Sequence, residues 1–168
     1  MTDRTATQSV PPSASELTSS PLRNRIAVNL DAPVSEVWDL TGDLARFPEY
    51  SAGLERVDVK LDDEGRCLEY TCFFKPLEEG GEGAVSRDVM KWYEPNRGYL
   101  SVEVEGGNTV ARMTLDSIPG GTRIGYDMHF DADDLAVAKA AIDEALVDIS
   151  DNLIARFGGR VTEHYVEE

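Results

Sequence analysis

Apolar and polar residues alternate over most of the chain after Asn24, and near residue 135 the alternation gives way to a helical period. Ile26, Val28 and Leu30 mark a first strand. Asp31-Ala32-Pro33 then starts a short helix, with Pro33 in the first turn, where a missing N–H costs nothing. Val34, Val37, Trp38 and Thr41 give this helix an apolar side, and Gly42 stops it. Asp43 is placed to cap a second short helix through Phe47, which Pro48 ends.

Further alternating runs follow. Val57, Val59 and Leu61 lead into an Asp62-Asp63-Glu64-Gly65 turn, and Leu68, Tyr70, Cys72 and Phe74 form the return strand. An acidic loop spans Glu78 to Gly83, and another strand runs from about Ala84 to Tyr93, closed by Glu94-Pro95-Asn96. Leu100, Val102 and Val104 precede a Gly106-Gly107-Asn108 turn; Ala111, Met113 and Leu115 precede Pro119-Gly120-Gly121; Ile124, Tyr126, Met128 and Phe130 make the last strand. Asp131 or Asp133 is placed to cap a long helix from Leu135 to Phe157. Its apolar positions, Leu135, Ala138, Ile142, Ala145, Leu146, Ile149, Leu153 and Phe157, share one face, with Glu144, Asp148 and Asp151 opposite. A strand, two short helices, six strands and a long helix make an α+β antiparallel meander.

Composition changes this picture at the N-terminus, where residues 1–22 are rich in Ser, Thr and Pro and read as a disordered tail before a single domain over 23–168. The net charge of -16 argues against nucleic acid and anionic membrane surfaces as partners. No apolar run is long enough to insert in a membrane, and no basic start followed by an apolar stretch marks a secretion signal. Cys67 and Cys72 fall in one strand, on opposite faces and about 16 Å apart, too far for a disulfide. This suits a reducing, cytoplasmic setting. The histidines and cysteines have no zinc spacing, and there is no nucleophile elbow, Walker loop or dinucleotide fingerprint, so neither metal nor cofactor is expected.

Val37-Trp38-Asp39-Leu40, Asp43-Leu44, Phe47-Pro48-Glu49-Tyr50, Gly120-Gly121-Thr122 and the terminal helix resemble, in order and spacing, the START-like (SRPBCC) superfamily and most of all its polyketide cyclase/dehydrase branch. The resemblance spans roughly residues 24–160. It implies a helix-grip fold, in which a curved seven-stranded antiparallel sheet wraps the C-terminal helix around a deep ligand cavity.

In that frame Tyr70, Phe74, Met113, Tyr126, Met128 and Phe130 face the cavity, Ile142, Leu146, Ile149 and Leu153 form its other wall, and Phe47 and Tyr50 stand at its entrance. Trp38 reads as a packing residue, and Arg156, set in the apolar stripe, reaches the cavity rim, an acid or the polar end of a ligand. Periodicity leaves the strand 84–93 open, because either face turns a charge inward: Arg87, with Lys91, or Asp88. Comparison with the cyclase pattern favours Arg87 and Tyr93 inward, where Arg87 could meet a carboxylate or phenolate. The chain departs from the aromatase/cyclase pattern at two positions: Tyr93 or a near neighbour stands for the arginine, and Leu54 for the tyrosine.

The resemblance implies a small hydrophobic ligand, aromatic or polyketide-like, with cyclisation or dehydration as the associated chemistry. Arg87 would stabilise an enolate, and Tyr126 or Tyr50 would donate a proton. A non-catalytic lipid or quinone carrier, and an acidic module for an unidentified basic protein partner, are the competing expectations.

Overall fold

Alternating segments become strands and the helical-period segment becomes a helix in the computed structural model, which describes residues 12–168. Strand β1 (Leu22–Leu30) leads into helix α1 (Val34–Thr41) and a 3-10 turn over Leu44–Glu49. Strands β2 (Leu54–Leu61), β3 (Cys67–Phe74), β4 (Val85–Glu94), β5 (Gly98–Glu105), β6 (Val110–Ile118) and β7 (Gly121–His129) follow as a meander. Helix α2 (Leu135–Phe157) and strand β8 (Gly159–Val166) complete the chain. One antiparallel sheet holds all the strands in the order β2-β3-β4-β5-β6-β7-β1-β8. Its inner face shares a single core with α2, in which Ile26, Val37, Met113, Ile124 and Leu153 are sealed from solvent. This is the α+β helix-grip arrangement expected from the sequence.

The sheet has eight strands, where seven were expected. The extra strand, β8, pairs along the free edge of β1 and is exposed along most of its length, so it carries little apolar alternation to read. Gly158 (φ 79°) and Gly159 (φ 142°) turn the chain from α2 onto that edge, and a Cβ at Gly159 would lie 2.0 Å from the Asn29 carbonyl oxygen.

Local chemistry sets the other elements. At the end of α1 the Gly42 N–H returns to the Trp38 carbonyl at 2.8 Å, and the Trp38 ring occupies the space a Cβ at Gly42 would need. The 3-10 turn runs through Pro48 to Glu49 rather than ending before the proline. A proline removes only its own N–H, and the next bond, Tyr50 N–H to the Phe47 carbonyl, forms at 3.1 Å. The cap of α2 is Asp134, whose carboxylate accepts the Val137 N–H at 3.2 Å, not Asp131 or Asp133. Asp131 instead pairs with Arg23.

Of the expected tail, residues 1–11 lie outside the described residues. Within residues 12–22 a 3-10 turn spans Ala14–Glu16, and β1 begins at Leu22. Ala14 and Leu17 cover an apolar patch of Trp92, Leu100, Val102 and Val110 on the outer face of the sheet. That patch would otherwise face water, and its burial offsets the ordering of the segment.

Two bulges decide which side chains face inward. In β3, Leu61 pairs with Cys67 and Lys60 with Glu69, so Leu68 is the extra residue and is exposed. Cys67 thereby joins Cys72 on the inner side; both are buried and free, correcting the expectation of opposite faces. In β4, Met90 pairs with Ser101 and Trp92 with Leu100, leaving Lys91 unopposed. Before this bulge Ser86, Asp88 and Met90 face the core; after it Tyr93 does, while Trp92 joins the outer patch.

Candidate functional site

Along the N-terminal half of α2 the core stays open. A cavity of about 230 Å³ lies between Ile142, Ala145, Leu146 and Ile149 of α2 and the inner face of the sheet. Tyr70, Cys72 and Phe74 come from β3, Ser86 and Asp88 from β4, Tyr99 and Glu103 from β5, Ala111 from β6, and Tyr126 and Met128 from β7. Phe47, Ser51 and Leu54 close one side. Phe74 and Ala145 are both lining and exposed, which places the mouth between the end of β3 and α2. Along the C-terminal half of α2 the interior is solid, with Leu153 in the same packed cluster as Val37, Leu40 and Leu44. A wider groove around Asp31, Asn96, Arg97 and Ile118 is open to solvent and shares no residue with the cavity.

The entrance segment is tied to α2. Asp148 Oδ2 accepts the Ala52 N–H at 2.8 Å, and Asn152 Nδ2 donates to the Tyr50 carbonyl at 3.2 Å. Asp148 therefore faces the domain at the flank of the stripe instead of standing opposite it. Tyr50 is buried beneath Phe47, their rings stacked with centroids 5.0 Å apart.

The polar groups of the cavity fall into two sets. Tyr126 is 5% exposed; its hydroxyl and that of Tyr50, which lies behind the cavity lining, neighbour each other without a well-formed hydrogen bond and have no other partner among the described residues. Burial holds both phenols above their usual pKa, so both stay protonated and can act as donors, not bases. In the second set Tyr70 Oη shares a 2.8 Å hydrogen bond with Ser101 Oγ and lies 3.4 Å from Asp88 Oδ2. Glu103 is the register partner of Asp88, and its Oε1 accepts the Thr109 N–H at 3.1 Å. Burial, and then the charge of Glu103, push Asp88 up to about 7, with Tyr70 and Ser86 opposing.

The structure brings Phe47, Tyr70, Phe74, Tyr126, Met128, Ile142, Leu146 and Ile149 together around the cavity. Met113, Phe130 and Leu153 are buried but do not border it. Tyr93 points inward, yet its hydroxyl donates to the Gly42 carbonyl at 2.7 Å and its ring packs on Trp38, away from the cavity. Arg87 is not inward, contrary to expectation: it lies on the outer face, 3.4 Å from Glu69 and 3.1 Å from Glu105. An outward arginine keeps its hydration and two acidic neighbours, whereas inward it would face a largely apolar cavity. Arg156 reaches Glu49 at 3.2 Å on the surface. Asp88, Glu103, Tyr99, Ser51, Ser86, Thr109 and Arg112 are polar lining residues that sequence reasoning did not assign to the site. The signal for Asp88 was its place on the even face of β4, which only the bulge at Lys91 makes compatible with an inward Tyr93.

Among the described residues no helix is long and apolar enough to cross a membrane, and no group of His, Cys, Asp or Glu is gathered as metal ligands would be.

The sequence profile of a family described as polyketide cyclase/dehydrase and lipid transport matches residues 23–161. No curated protein matches the chain in sequence. Among solved structures, a START superfamily protein from Mycobacterium smegmatis superposes with a TM-score of 0.67 at 14% identity, over 82% of this chain and 97% of that one. The Zhui aromatase/cyclase from a Streptomyces species superposes with a TM-score of 0.63 at 13% identity, over 81% and 93%. At such identities the likeness is one of fold.

Proposed function

We propose, because the chain belongs to the polyketide cyclase/dehydrase and lipid transport family, that it binds a small, largely apolar molecule of aromatic or polyketide-like shape in the cavity beside α2. The observation that carries this reading is the cavity itself, with Phe47, Met128, Ile142, Leu146 and Ile149 presenting an apolar wall and the Tyr126 hydroxyl on its border. A well-packed core leaves few such voids. At about 230 Å³ the space suits a compact ring system rather than a long lipid chain. This favours the aromatic reading over a lipid carrier. The two free, buried cysteines support a cytoplasmic setting.

Catalysis is the second reading, and the Tyr126 hydroxyl favours it. A phenol kept protonated by burial can donate to a carbonyl oxygen as charge develops there, and Tyr50 stands behind it as a reserve donor. Arg87, on the outer face, has no part in this scheme.

Mass spectrometry of small molecules retained by the protein from its native host tests the proposal. Retention of an aromatic compound by the wild type and its loss in an Ala145→Trp variant, which plugs the mouth, are expected. A compound retained equally by both would place binding elsewhere.

A further inference from the structure

Asp88 and Glu103 face the same cavity from adjacent strands, and among the described residues neither takes part in an ion pair. Asp88 is only 8% exposed. The hydroxyls beside it are those of Tyr70, at 3.4 Å and already shared with Ser101, and of Ser86 on its own strand. Glu103 spends one oxygen on the Thr109 N–H. Like charges directly opposite in a sheet repel, and a buried carboxylate without a cation is costly.

No protein cation relieves them. Arg87 points to the outer face. Arg112 borders the cavity with its Nε buried and without a hydrogen-bond partner, but its register partners are Leu100, in the outer patch, and Asp127, paired with the outward Arg25, and it makes no ion pair with Asp88 or Glu103 among the described residues. The groups facing Asp88 are Tyr70 and the Cys72 thiol from β3, Ser86 from its own strand and Glu103 from β5, while α2 offers only Ile142, Ala145, Leu146 and Ile149. In the same space the buried Tyr126 hydroxyl has only the Tyr50 hydroxyl beside it.

We propose that the cavity selects a small apolar molecule bearing a basic amino group, held as its ammonium ion against Asp88 and Glu103. This inference rests on the cavity-binding reading and names its ligand class. The ammonium would donate to the free oxygens of both carboxylates, and the apolar body would lie on Met128, Leu146 and Ile149. A ligand carboxylate would meet two negative groups and be rejected. The net charge of -16 further enriches amines near the protein. Burial keeps Asp88 near half-protonated at neutral pH in the empty cavity, and an entering cation would ionise it.

Calorimetric titration at pH 8 with three probes of one shape tests this: 1-naphthylmethylamine, 1-naphthalenemethanol and 1-naphthylacetate. The amine is expected to bind at least ten-fold more tightly than the alcohol, and the carboxylate most weakly. Asp88→Asn is expected to bring amine and alcohol within two-fold, with an unchanged near-ultraviolet circular dichroism spectrum as proof of an intact fold; Glu103→Gln is expected to reduce the preference in part. An amine that binds the wild type no better than the alcohol overturns this inference and leaves the cavity reading standing. A preference that survives in Asp88→Asn overturns the role of Asp88. Failure of all three probes overturns the cavity reading and this inference with it.

Discussion

The Tyr70 hydroxyl lies 3.4 Å from Asp88 Oδ2 and shares a 2.8 Å hydrogen bond with Ser101, so a phenol and a carboxyl from neighbouring strands meet inside the sheet. Tyr70 and Ser86 are the hydroxyl donors beside Asp88, and they do not offset its burial. A carboxyl so placed stays protonated to a higher pH than its unfolded counterpart.

The sign of the resulting pH dependence is fixed. Asp88 titrates near 7 in the folded protein, against roughly 3.9 unfolded. Between those values the folded state binds more protons, so its contribution to stability falls as pH rises through that window. Asp88→Asn cannot ionise and escapes the loss. Its stability relative to wild type is expected to improve from pH 5 to pH 8 by roughly 1–3 kcal/mol, read from urea denaturation at the two pH values.

Tyr126 separates stability from binding. Tyr126→Phe removes a buried hydroxyl whose neighbour is the Tyr50 hydroxyl, with no well-formed hydrogen bond between them, so unfolding free energy is expected to change by less than about 1.5 kcal/mol. Affinity for 1-naphthalenemethanol is expected to fall several-fold in the same variant.

The two halves of α2 are expected to respond differently to truncation. Leu153→Ala opens a void in solid core and is expected to cost about 2–5 kcal/mol. Ile142→Ala enlarges a space that already exists beside a half-exposed residue, and is expected to cost less than about 1.5 kcal/mol. Chemical denaturation of both variants reads the difference.

The cysteines give a test of the β3 bulge. Cys67 and Cys72 are both buried, and burial pushes both thiols up to about 12. Native protein is expected to react with a thiol reagent at neither site on the minute scale, and unfolded protein at both. Rapid labelling of Cys67 alone would place it on the outer face.

How much of this was legible depended on where the period ran unbroken. Helix α2 was readable to its terminal residues because Ile142, Leu146, Ile149 and Leu153 keep a helical stripe over its length. The meander was readable because each hairpin is marked by a turn. The bulges at Leu68 and Lys91 were not, since each reverses the inward face within a strand through one extra residue. That single slip moved Arg87 outward and Asp88 inward, changing the cavity from one with a cation to one with an acid. Strand β8 was hidden for a different reason: an exposed edge strand has no buried face to impose alternation.

The central claim is that the space beside α2 holds a small apolar ligand, and calorimetric titration of 1-naphthalenemethanol into wild type and Ala145→Trp tests it most directly. The account predicts saturable one-to-one binding to the wild type and its loss in Ala145→Trp at unchanged thermal stability. Binding that is equal in the two proteins, or absent from the wild type, would contradict it.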